Sequence, residues 1–248
     1  MLELNKIYNE DCLIGMNKID DRSIDLILCD LPYGTTQNKW DSILPLDELW
    51  SIYKRVIKDN GAIVLTSSEP FTSNLIQSNL KMFKYKWVWD KASPTGFLNA
   101  KKQPLRVTED IVVFYKKQPK YNPQMVIRGK PRKKGGYIKP KGSDNYGDYE
   151  ETISYNNEYY PTNLLSISNA NRKEKIHPTQ KPVELFEYLI KTYTNENDIV
   201  LDNCIGSGTT AEACIKLRRN FIGFELDEKY YKFAEDRINN VQYIEHTL

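Results

Sequence analysis

One nearly uninterrupted apolar run, SIDLILCD (23–30), constrains the fold of this chain more than any other feature. A strand of this kind is buried on both faces, which occurs in parallel sheets that are covered by helices on both sides. Similar runs recur at 61–68 and 198–202, and segments with helical spacing separate them. This alternation predicts an α/β fold with a mostly parallel, doubly wound sheet.

The helical segments carry boundary signals. The segment LDELWSIYKRVIKDNG (46–61) has helical spacing and ends on Gly61, where a glycine C-cap is expected. A later helix begins near Pro182, which suits the first turn, and Val183 and Phe186 lie on one of its faces. With 248 residues, the chain is long enough to bury a full core as one domain with a small appendage.

Composition argues against several classes of protein. Thirty-five Lys and Arg against 33 Asp and Glu give a net charge of +2, so any basic surface must be local. No apolar run approaches the ~18 residues that would cross a membrane, and MLELNK does not resemble a secretion signal. The four cysteines and two histidines show no paired metal spacing. The sequence therefore predicts a cytoplasmic protein with reduced thiols, no metal site and no membrane association.

Residues 118–175 interrupt the alternation. Between Lys116 and Lys141 there are ten Lys or Arg and no acid, interleaved with tyrosines and prolines, and the stretch that follows is acidic and rich in tyrosine. So long an irregular segment inside a compact domain is usually functional or mobile. Cations suit phosphates and aromatic rings suit bases, so one interpretation of the segment is nucleic-acid contact. Composition alone fits a solvated insertion equally well.

Another apolar run leads into a glycine-rich turn, DIVLDNCIGSGTTA (198–211). Gly206, Gly208 and Ala211 satisfy the G-x-G-x-x-G/A pattern, in which a strand, a tight turn and a helix form a nucleotide site. Glu225 lies near the ~20-residue offset at which an acid binds ribose hydroxyls. A nicotinamide or flavin enzyme needs a second set of strands after the turn, but only 23 residues follow Glu225. The companion strands must precede the turn, which predicts a permuted sheet.

Several segments together resemble the amino-group DNA methyltransferases of the β group. Asp30-Leu31-Pro32-Tyr33 resembles their D-P-P-Y motif, and DNCIGSGTT (202–210) resembles their D-P-F-x-G-S-G-T-T cofactor loop. HPTQKPVELFEYLIK (177–191) resembles the H-P-x-x-K-P segment before that loop, and NEDCLIGMNKI (9–19) the acidic segment beside the cofactor adenine. The catalytic motif precedes the cofactor motif, as in the β group.

The resemblance covers about 1–92 and 176–248. It implies a Rossmann-like methyltransferase fold in permuted order with an irregular target-recognition insertion, S-adenosylmethionine as cofactor and double-stranded DNA as partner. The expected division is a catalytic part (1–117), the insertion (118–175) and a cofactor-binding part of the same domain (176–248).

The resemblance assigns the catalytic roles to Asp30, Leu31, Pro32 and Tyr33. Two acceptors, the Asp30 carboxylate and the Leu31 carbonyl, would hold both N–H bonds of an exocyclic amine and direct its lone pair at the methyl group. Tyr33 would offer the ring on which a flipped base stacks. Leu31 replaces the first proline of the motif but keeps the carbonyl, and Pro32 restricts Leu31 to an extended conformation.

The cofactor site is expected to combine three parts of the chain. Glu225 would bind the ribose hydroxyls, since one carboxylate matches two hydroxyl donors. The adenine would neighbour Asp11 and Cys12, and the methionine carboxylate would face Thr179 and Lys181. The expected cofactor residues are Asp11, Cys12, Asp30, Thr179, Lys181, Asp202, Asn203, Cys204, Gly206, Ser207, Gly208, Thr209, Thr210, Glu225 and Leu226. Asn203 and Cys204 replace the usual Pro-Phe pair, which leaves the packing of the adenosine open.

An aspartate-led motif in this family indicates adenine N6 as the target, whereas cytosine N4 enzymes more often carry serine. Cytosine C5 chemistry needs a nucleophilic cysteine, typically after proline, and the chain has no Pro-Cys pair. Cytosine N4 methylation and a non-catalytic DNA-binding relative stay open as alternatives, and so does a nicotinamide oxidoreductase, which the strand count opposes.

Contacts with DNA phosphates are expected mainly from the basic part of the insertion. The expected DNA-binding residues are Lys39, Arg128, Lys130, Arg132, Lys133 and Lys134. The resemblance also implies a prokaryotic or phage-encoded protein, for which a homodimer and a companion restriction endonuclease are further partners to be expected.

Overall fold

The computed structural model describes residues 2–34, 42–135, 153–169 and 180–247, with side chains up to residue 241. The strands are β1 (Lys6–Tyr8), β2 (Ile24–Asp30), β3 (Ile57–Ser67), β4 (Phe83–Thr95), β5 (Arg106–Phe114), β6 (Val126–Gly135), β7 (Ile153–Tyr159), β8 (Leu164–Ser166), β9 (Ile199–Asp202) and β10 (Asn220–Phe224). The helices are α1 (Cys12–Met16), α2 (Leu46–Val56), α3 (Phe71–Ser78), α4 (Val183–Tyr193), α5 (Thr209–Lys216) and α6 (Glu228–Thr247), and a 3₁₀ turn spans Phe97–Asn99. None of the described helices is long and apolar enough to cross a membrane.

Eight strands form one sheet in the order β1-β10-β9-β2-β3-β5-β4-β8. The strands β1, β10, β9, β2 and β3 pair in parallel, and β4 pairs in parallel with β8. Strand β5 is antiparallel to both of its neighbours, β3 and β4. The predicted α/β fold with a mostly parallel sheet is confirmed, and its order is permuted because late strands β9 and β10 stand beside the early strand β2.

Helices cover both faces of the sheet, as the apolar run of β2 requires. Leu26 and Leu28 pack into the core formed with α4, α5 and α6. Ile27 and Cys29 point the other way and pack into the core formed with α1, α2 and α3. All four side chains are fully buried. Because both faces of β2 are covered, only its carboxyl end can present a side chain to a ligand.

The two strands that carry the sequence motifs are neighbours where the winding of the sheet reverses. Strand β2 pairs with β9 through Leu26↔Val200 and Ile27↔Leu201. Strand β2 ends at Asp30 and β9 ends at Asp202. Open α/β sheets bind ligands at such a reversal, outside the carboxyl ends of the strands. The fold therefore brings both motifs to the edge where a site is expected.

A buried carboxylate fastens the central strands at their other end. Asp25 on β2 accepts hydrogen bonds from the Ile199 backbone N–H of β9 at 3.1 Å and from Lys58 Nζ of β3 at 2.7 Å. Asp25 is 8% exposed, so it depends on these partners to offset the cost of burying its charge. Three adjacent strands are thus joined through one side chain.

The helix predicted for 46–61 is shorter than expected. It ends at Val56, and β3 begins at Ile57, so Gly61 lies inside a strand and caps no helix. Ile57 pairs with Ile24 of β2. This pairing draws the chain into the sheet before the glycine is reached, a tertiary effect that local spacing does not reveal.

Pro123–Thr162 forms a second compact unit. Its described part is an antiparallel ribbon of β6 and β7 with an irregular register in the middle of β6. The Tyr159 ring of β7 is surrounded by cations: Lys134 Nζ lies 3.7 Å from the ring centroid, and the guanidinium carbons of Arg132 and Arg128 lie 5.4 Å and 5.6 Å from it. Cation–π contacts therefore order three basic side chains around one ring.

The stretch predicted as an insertion, 118–175, is wider than this unit. Its residues Leu164–Ser166 form β8, which pairs with β4 at the edge of the main sheet. This strand is defined by its pairing with β4. Its own sequence has no hydrophobic period that would predict a strand. The boundaries proposed from the sequence stay a prediction.

We expect Asp25→Ala to lower the free energy of unfolding by about 1–3 kcal/mol, because the Ile199 N–H loses its acceptor. Asp25→Asn keeps an acceptor oxygen and should cost less. Urea denaturation measures both variants. Asp21→Ala is the matched control, since the Asp21 side chain is 73% exposed and its ion pair with Arg55 should contribute little. A loss in Asp25→Ala no larger than in the control would contradict the fastening role.

Candidate active site

A cavity of about 900 Å³ opens at the carboxyl edge of the sheet. The expected site residues that line it are Asp11, Cys12, Asp30, Leu31, Pro32, Tyr33, Lys181, Asp202, Asn203, Cys204, Gly206, Ser207, Thr209, Thr210, Glu225 and Leu226. Gly208 belongs to the same glycine turn but does not line the cavity. Thr179 and Lys39 lie outside the described residues. The other expected DNA-binding residues lie on β6, in the second unit.

Asp30, at the end of β2, gathers several donors. Its Oδ1 accepts hydrogen bonds from the Tyr33 hydroxyl and from Lys181 Nζ, both at 2.8 Å, and from the Thr66 hydroxyl. Its Oδ2 accepts, within the described part of the chain, only from Lys181, at 2.8 Å. One oxygen is therefore anchored, and the other keeps the capacity to accept a further N–H.

Lys181 places a buried positive charge between two carboxylates. It is 7% exposed, and its Nζ lies 2.8 Å from Asp30 Oδ2 and 3.4 Å from Glu109 Oε2. Burial lowers the pKa of Lys181, but the charges of Asp30 and Glu109 outweigh burial and the net pKa is raised. The ammonium group therefore persists and stays paired with both carboxylates. The role expected for Lys181 at the methionine carboxylate stays a prediction.

Three residues of this charge cluster, Thr66, Glu109 and Lys91, are absent from the sequence prediction. Thr66 stands opposite Asp30 in the β2–β3 register, which the pairing of the two apolar runs could have indicated. Glu109 lies near the start of β5, and the reversed direction of β5 brings this start to the carboxyl edge of the other strands. Lys91 Nζ pairs with Glu109 Oε1 at 3.0 Å. The reversal of β5 has no local sequence signal, so Glu109 could not be found that way.

The Tyr33 side chain is fixed at both ends. Its ring stacks on Phe71 of α3, with a centroid distance of 5.4 Å and an interplanar angle of 23°. Its hydroxyl donates to Asp30 at 2.8 Å and contacts the Thr66 hydroxyl at 3.0 Å. Burial, reinforced by the charge of Asp30, raises the pKa of Tyr33 well above its usual range, so the hydroxyl stays a neutral donor.

The Asp202 carboxylate holds the start of the glycine turn. Its Oδ1 accepts a hydrogen bond from the Cys204 backbone N–H at 3.0 Å, and its Oδ2 accepts from the Thr210 hydroxyl. Asp202 is 3% exposed. Burial raises its pKa to about 7, although these hydrogen bonds oppose the shift.

The glycines of the turn are required by its backbone. Gly206 and Gly208 have φ angles of 55° and 81°, which other residues rarely adopt. A Cβ on Gly208 would also lie 3.1 Å from the Ala234 Cβ of α6. The turn therefore packs closely on α6.

Arg237 of α6 supports the turn from the same side. Its Nη1 donates to the Ser207 carbonyl at 3.2 Å and to the Thr209 hydroxyl at 3.3 Å, and its Nε donates to Glu212 of α5. Arg237 is absent from the residues expected from the sequence, because only tertiary packing brings α6 to the turn.

Two further carboxylates at the cavity are already fixed by backbone groups. Glu225 Oε2 accepts from the Gly206 N–H at 2.9 Å, and its Oε1 accepts from the Asp227 N–H at 2.8 Å. Burial raises the pKa of Glu225. Asp11 Oδ1 accepts from the Leu13 N–H at 2.8 Å as the N-cap of α1. Both side chains are therefore positioned before any ligand binds.

The Asn203-Cys204 pair is accommodated by buried hydrogen bonds. Asn203 Oδ1 accepts from the Tyr53 hydroxyl of α2, and its Nδ2 lies 3.7 Å from Cys12 Sγ and 3.5 Å from Cys204 Sγ. Asn203 is 2% exposed, and these partners satisfy its amide. Over the described ranges, no group of three or more side chains could hold a metal ion.

The sequence matches the family model N6_N4_Mtase, described as DNA methylase, over residues 24–236. It is 26% identical to the type II methyltransferase M1.MboII of Moraxella bovis, and the alignment covers 98% of this chain and 99% of that protein. The DNA adenine methyltransferase YhdJ of Escherichia coli (strain K12) is 28% identical, with 96% of this chain and 83% of that protein covered. The crystal structure of the M1.HpyAVI-SAM complex superposes with a TM-score of 0.63 at 27% identity, covering 94% of this chain and 98% of that one.

The buried Asp202 should make stability depend on pH. Its pKa is about 7 in the folded protein and 3.8 without the shift, so between these values the folded state keeps a proton that the unfolded state has released. This contribution to the free energy of unfolding is complete below the lower pKa and is lost as pH rises toward the higher one, by at most about 1.4 kcal/mol per pH unit. Asp202→Asn does not ionise and should lack the slope.

Urea denaturation of the wild type and Asp202→Asn between about pH 5 and pH 8 measures the difference. The wild-type profile should fall relative to the variant up to about pH 7 and run parallel above it. Parallel profiles over the whole range would show that Asp202 is already ionised in the folded protein.

Proposed function

Because the chain belongs to the DNA methylase family that matches residues 24–236, we propose that it methylates the exocyclic N6 amine of a flipped adenine in duplex DNA. Its class, an S-adenosylmethionine-dependent DNA methyltransferase, follows from the family and its named relatives and confirms the resemblance in the sequence. One observation carries the choice of chemistry: Asp30 lines the cavity with one oxygen anchored and the other able to accept an amine N–H.

The cavity fits S-adenosylmethionine, which supplies a methyl group on a sulfonium. Its volume of about 900 Å³ suits a nucleoside-sized ligand. We assign the ribose hydroxyls to Glu225, whose oxygens each accept one backbone N–H and keep further lone pairs. Asp11 and Cys12 would neighbour the adenine. The turn 202–210 would hold the methionine half, together with Thr179 and Lys181.

Asp30 and Leu31 would orient the target amine. The lone pair of an exocyclic amine is delocalised into the base, so the amine is a poor nucleophile. With one N–H on Asp30 Oδ2 and the other on the Leu31 carbonyl, the lone pair is directed out of the plane of the base. Lys181, Tyr33 and Thr66 fix the carboxylate in advance, and its charge stabilises the positive charge that develops on the nitrogen.

Tyr33 would supply the stacking surface for the flipped base. Stacking on an aromatic side chain contributes about 1–3 kcal/mol per base, which offsets part of the stacking lost in the duplex. Phe71 fixes the plane of the ring, and the bond to Asp30 fixes its rotation. The same contacts thus align the base and the acceptor of its amine.

Adenine is favoured over cytosine by two observations. The motif begins with aspartate, and the relative YhdJ is named a DNA adenine methyltransferase. Cytosine N4 is the second candidate, because the same two acceptors would hold its amine.

The test of the function is incubation with tritium-labelled S-adenosylmethionine and unmethylated DNA, followed by digestion to nucleosides. Label in N6-methyldeoxyadenosine is the expected result. Label in N4-methyldeoxycytidine would replace adenine by cytosine as the target. Binding of cofactor and DNA without transfer would make the protein a non-catalytic relative.

We expect Asp30→Ala to slow single-turnover transfer by about 10²-fold or more while S-adenosylmethionine still binds, because an electrostatic group at the amine is removed. Tyr33→Phe removes one hydrogen bond to Asp30 but keeps the ring, so its rate should fall less. Rapid-quench assays measure the rates, and calorimetry measures cofactor affinity. Loss of cofactor binding in Asp30→Ala would show that Asp30 maintains the structure of the site and does not act on the amine alone.

The ribbon β6–β7 is our candidate for phosphate contacts. Five cations, Arg128, Lys130, Arg132, Lys133 and Lys134, lie on the ten residues of β6, which carry no acid. All are exposed except Lys134, which is partly buried against Tyr159. Cations release counterions from DNA, and a two-stranded ribbon fits the major groove.

Replacing Lys130 and Lys133 by Gln should weaken binding to all duplexes alike and reduce the slope of log affinity against log salt by about 0.9 for each lost phosphate contact. Lys116→Gln with Lys117→Gln is the matched control, since both lysines are exposed in the other unit and pair with Asp59. Fluorescence anisotropy over a salt series measures the slopes. Identical slopes for the two double variants would leave the ribbon as a solvated segment.

Two further partners and the domain division also belong to the proposed function. A companion restriction endonuclease is supported by the type II name of the relative M1.MboII. We keep a homodimer and the division into 1–117, 118–175 and 176–248 as further parts of the proposal.

A further inference from the structure

The loop between β4 and β5 presents two bare apolar side chains. Leu98 is 101% exposed and Phe97 is 67% exposed. Both belong to the 3₁₀ turn Phe97–Asn99, at the tip of the loop. Neither side chain lines the cavity or contacts the cluster of Asp30, Thr66, Lys91, Glu109 and Lys181 (the Asp30 cluster). Large apolar side chains that stand together in water commonly mark a surface that binds a partner.

This tip stands on the wall of the cavity. Thr95 and Arg106 are cross-strand partners at the ends of β4 and β5, and both line the cavity. Strand β4 is antiparallel to β5, which is antiparallel to β3, so β4 ends at the same edge of the sheet as β2 and its Asp30. DNA that delivers a base to the cavity must approach this edge.

The backbone of the tip is ordered by its own hydrogen bonds. The Asn99 N–H donates to the Gly96 carbonyl at 2.9 Å, and the N–H groups of Lys102 and Gln103 donate to the Asn99 carbonyl at 2.8 Å and 3.0 Å. Gly96 has a φ of 93°, which starts the turn. The apolar side chains are therefore held outward before a partner binds.

The charge around the tip suits a polyanion. The stretch 91–108 contains four Lys or Arg and no acid. Lys101, Lys102 and Arg106 are all exposed. Contact between two copies of the chain through this tip would bring like charges together, whereas phosphates on either side of an apolar gap would match it.

We propose that the tip, with Leu98 at its apex, enters the duplex at the position that the flipped base leaves. Proteins that distort DNA insert apolar side chains between base steps in this way. Filling the gap replaces part of the stacking lost by the neighbouring base pairs and blocks the return of the base. Lys101 and Lys102 then neutralise the flanking phosphates. This inference rests on the proposed function, because it requires a base in the cavity.

The test compares Leu98→Ala, Leu98→Met and the control Leu80→Ala on two duplexes. Leu80 is 65% exposed and lies between α3 and β4, at the opposite edge of the sheet. Both duplexes carry the recognition sequence obtained by mapping methylation in an expressing host. In one duplex the target base is paired normally, and in the other it faces a mismatch, which lowers the cost of flipping. Single-turnover transfer is measured at saturating cofactor.

Leu98→Ala should be slower than the wild type by about 10-fold or more on the paired duplex, the scale expected when a leucine is no longer buried. It should return close to the wild-type rate on the mismatched duplex. Leu98→Met keeps an apolar side chain of similar volume and should stay near the wild type on both. Leu80→Ala should match the wild type throughout.

Several results would overturn the inference. A wild-type rate for Leu98→Ala on the paired duplex would show that the tip stays outside the DNA. An equal deficit on both duplexes would show that Leu98 acts after flipping. A dimer of the wild type that Leu98→Ala dissociates, with unchanged transfer rates, would assign the tip to contact between copies. A wild-type protein that labels no DNA would overturn the proposed function, and the inserted tip with it.

Discussion

The pairing of β2 with β9 is the constraint on which the site depends. These strands come from distant parts of the chain, and the pairs Leu26↔Val200 and Ile27↔Leu201 hold them side by side. Because helices seal both faces of the sheet, polar chemistry is confined to the edge where the strands end. The Asp30 carboxylate, which we propose orients the amine, and the turn 202–210, which we propose holds the cofactor, line one cavity only through this adjacency.

The sequence predicts those parts of the fold that have a local signal. The apolar run 23–30 and the glycine turn after Asp202 give two strands, their burial and the edge at which they end. Local signals mislead at Gly61, because strand pairing ends the preceding helix before the glycine can cap it. Glu109 has no local signal at all. It reaches the site because β5 runs in the reversed direction, which is a property of the assembled sheet. The fold class and the motif residues, Tyr33 and Lys181 among them, were therefore predictable, whereas Glu109 and Lys91 were not.

The charged residues around Asp30 compensate one another. A charged side chain that is partly removed from water needs a neighbour of opposite sign to offset its lost hydration. Positive and negative charges alternate around Asp30. Lys91 Nζ lies 3.0 Å from Glu109 Oε1, Lys181 Nζ lies 3.4 Å from Glu109 Oε2, and Lys181 Nζ lies 2.8 Å from Asp30 Oδ2. Each charge therefore has a neighbour of opposite sign, and none of these four groups is left as an uncompensated charge in the interior.

The junctions of the unit Pro123–Thr162 have a consequence for how such a chain diversifies. Just before it, the Asn122 N–H donates to the Thr192 carbonyl at 2.7 Å, and just after it, the Asn163 carbonyl accepts from the Val88 N–H at 2.8 Å. Because both junctions are anchored to the main sheet and its helices, the segment between them can be exchanged, lengthened or shortened while β2, β9 and their side chains keep their places. If this unit contacts the DNA, as we propose, evolution can change how DNA is bound while the Asp30 cluster and the glycine turn are inherited unchanged.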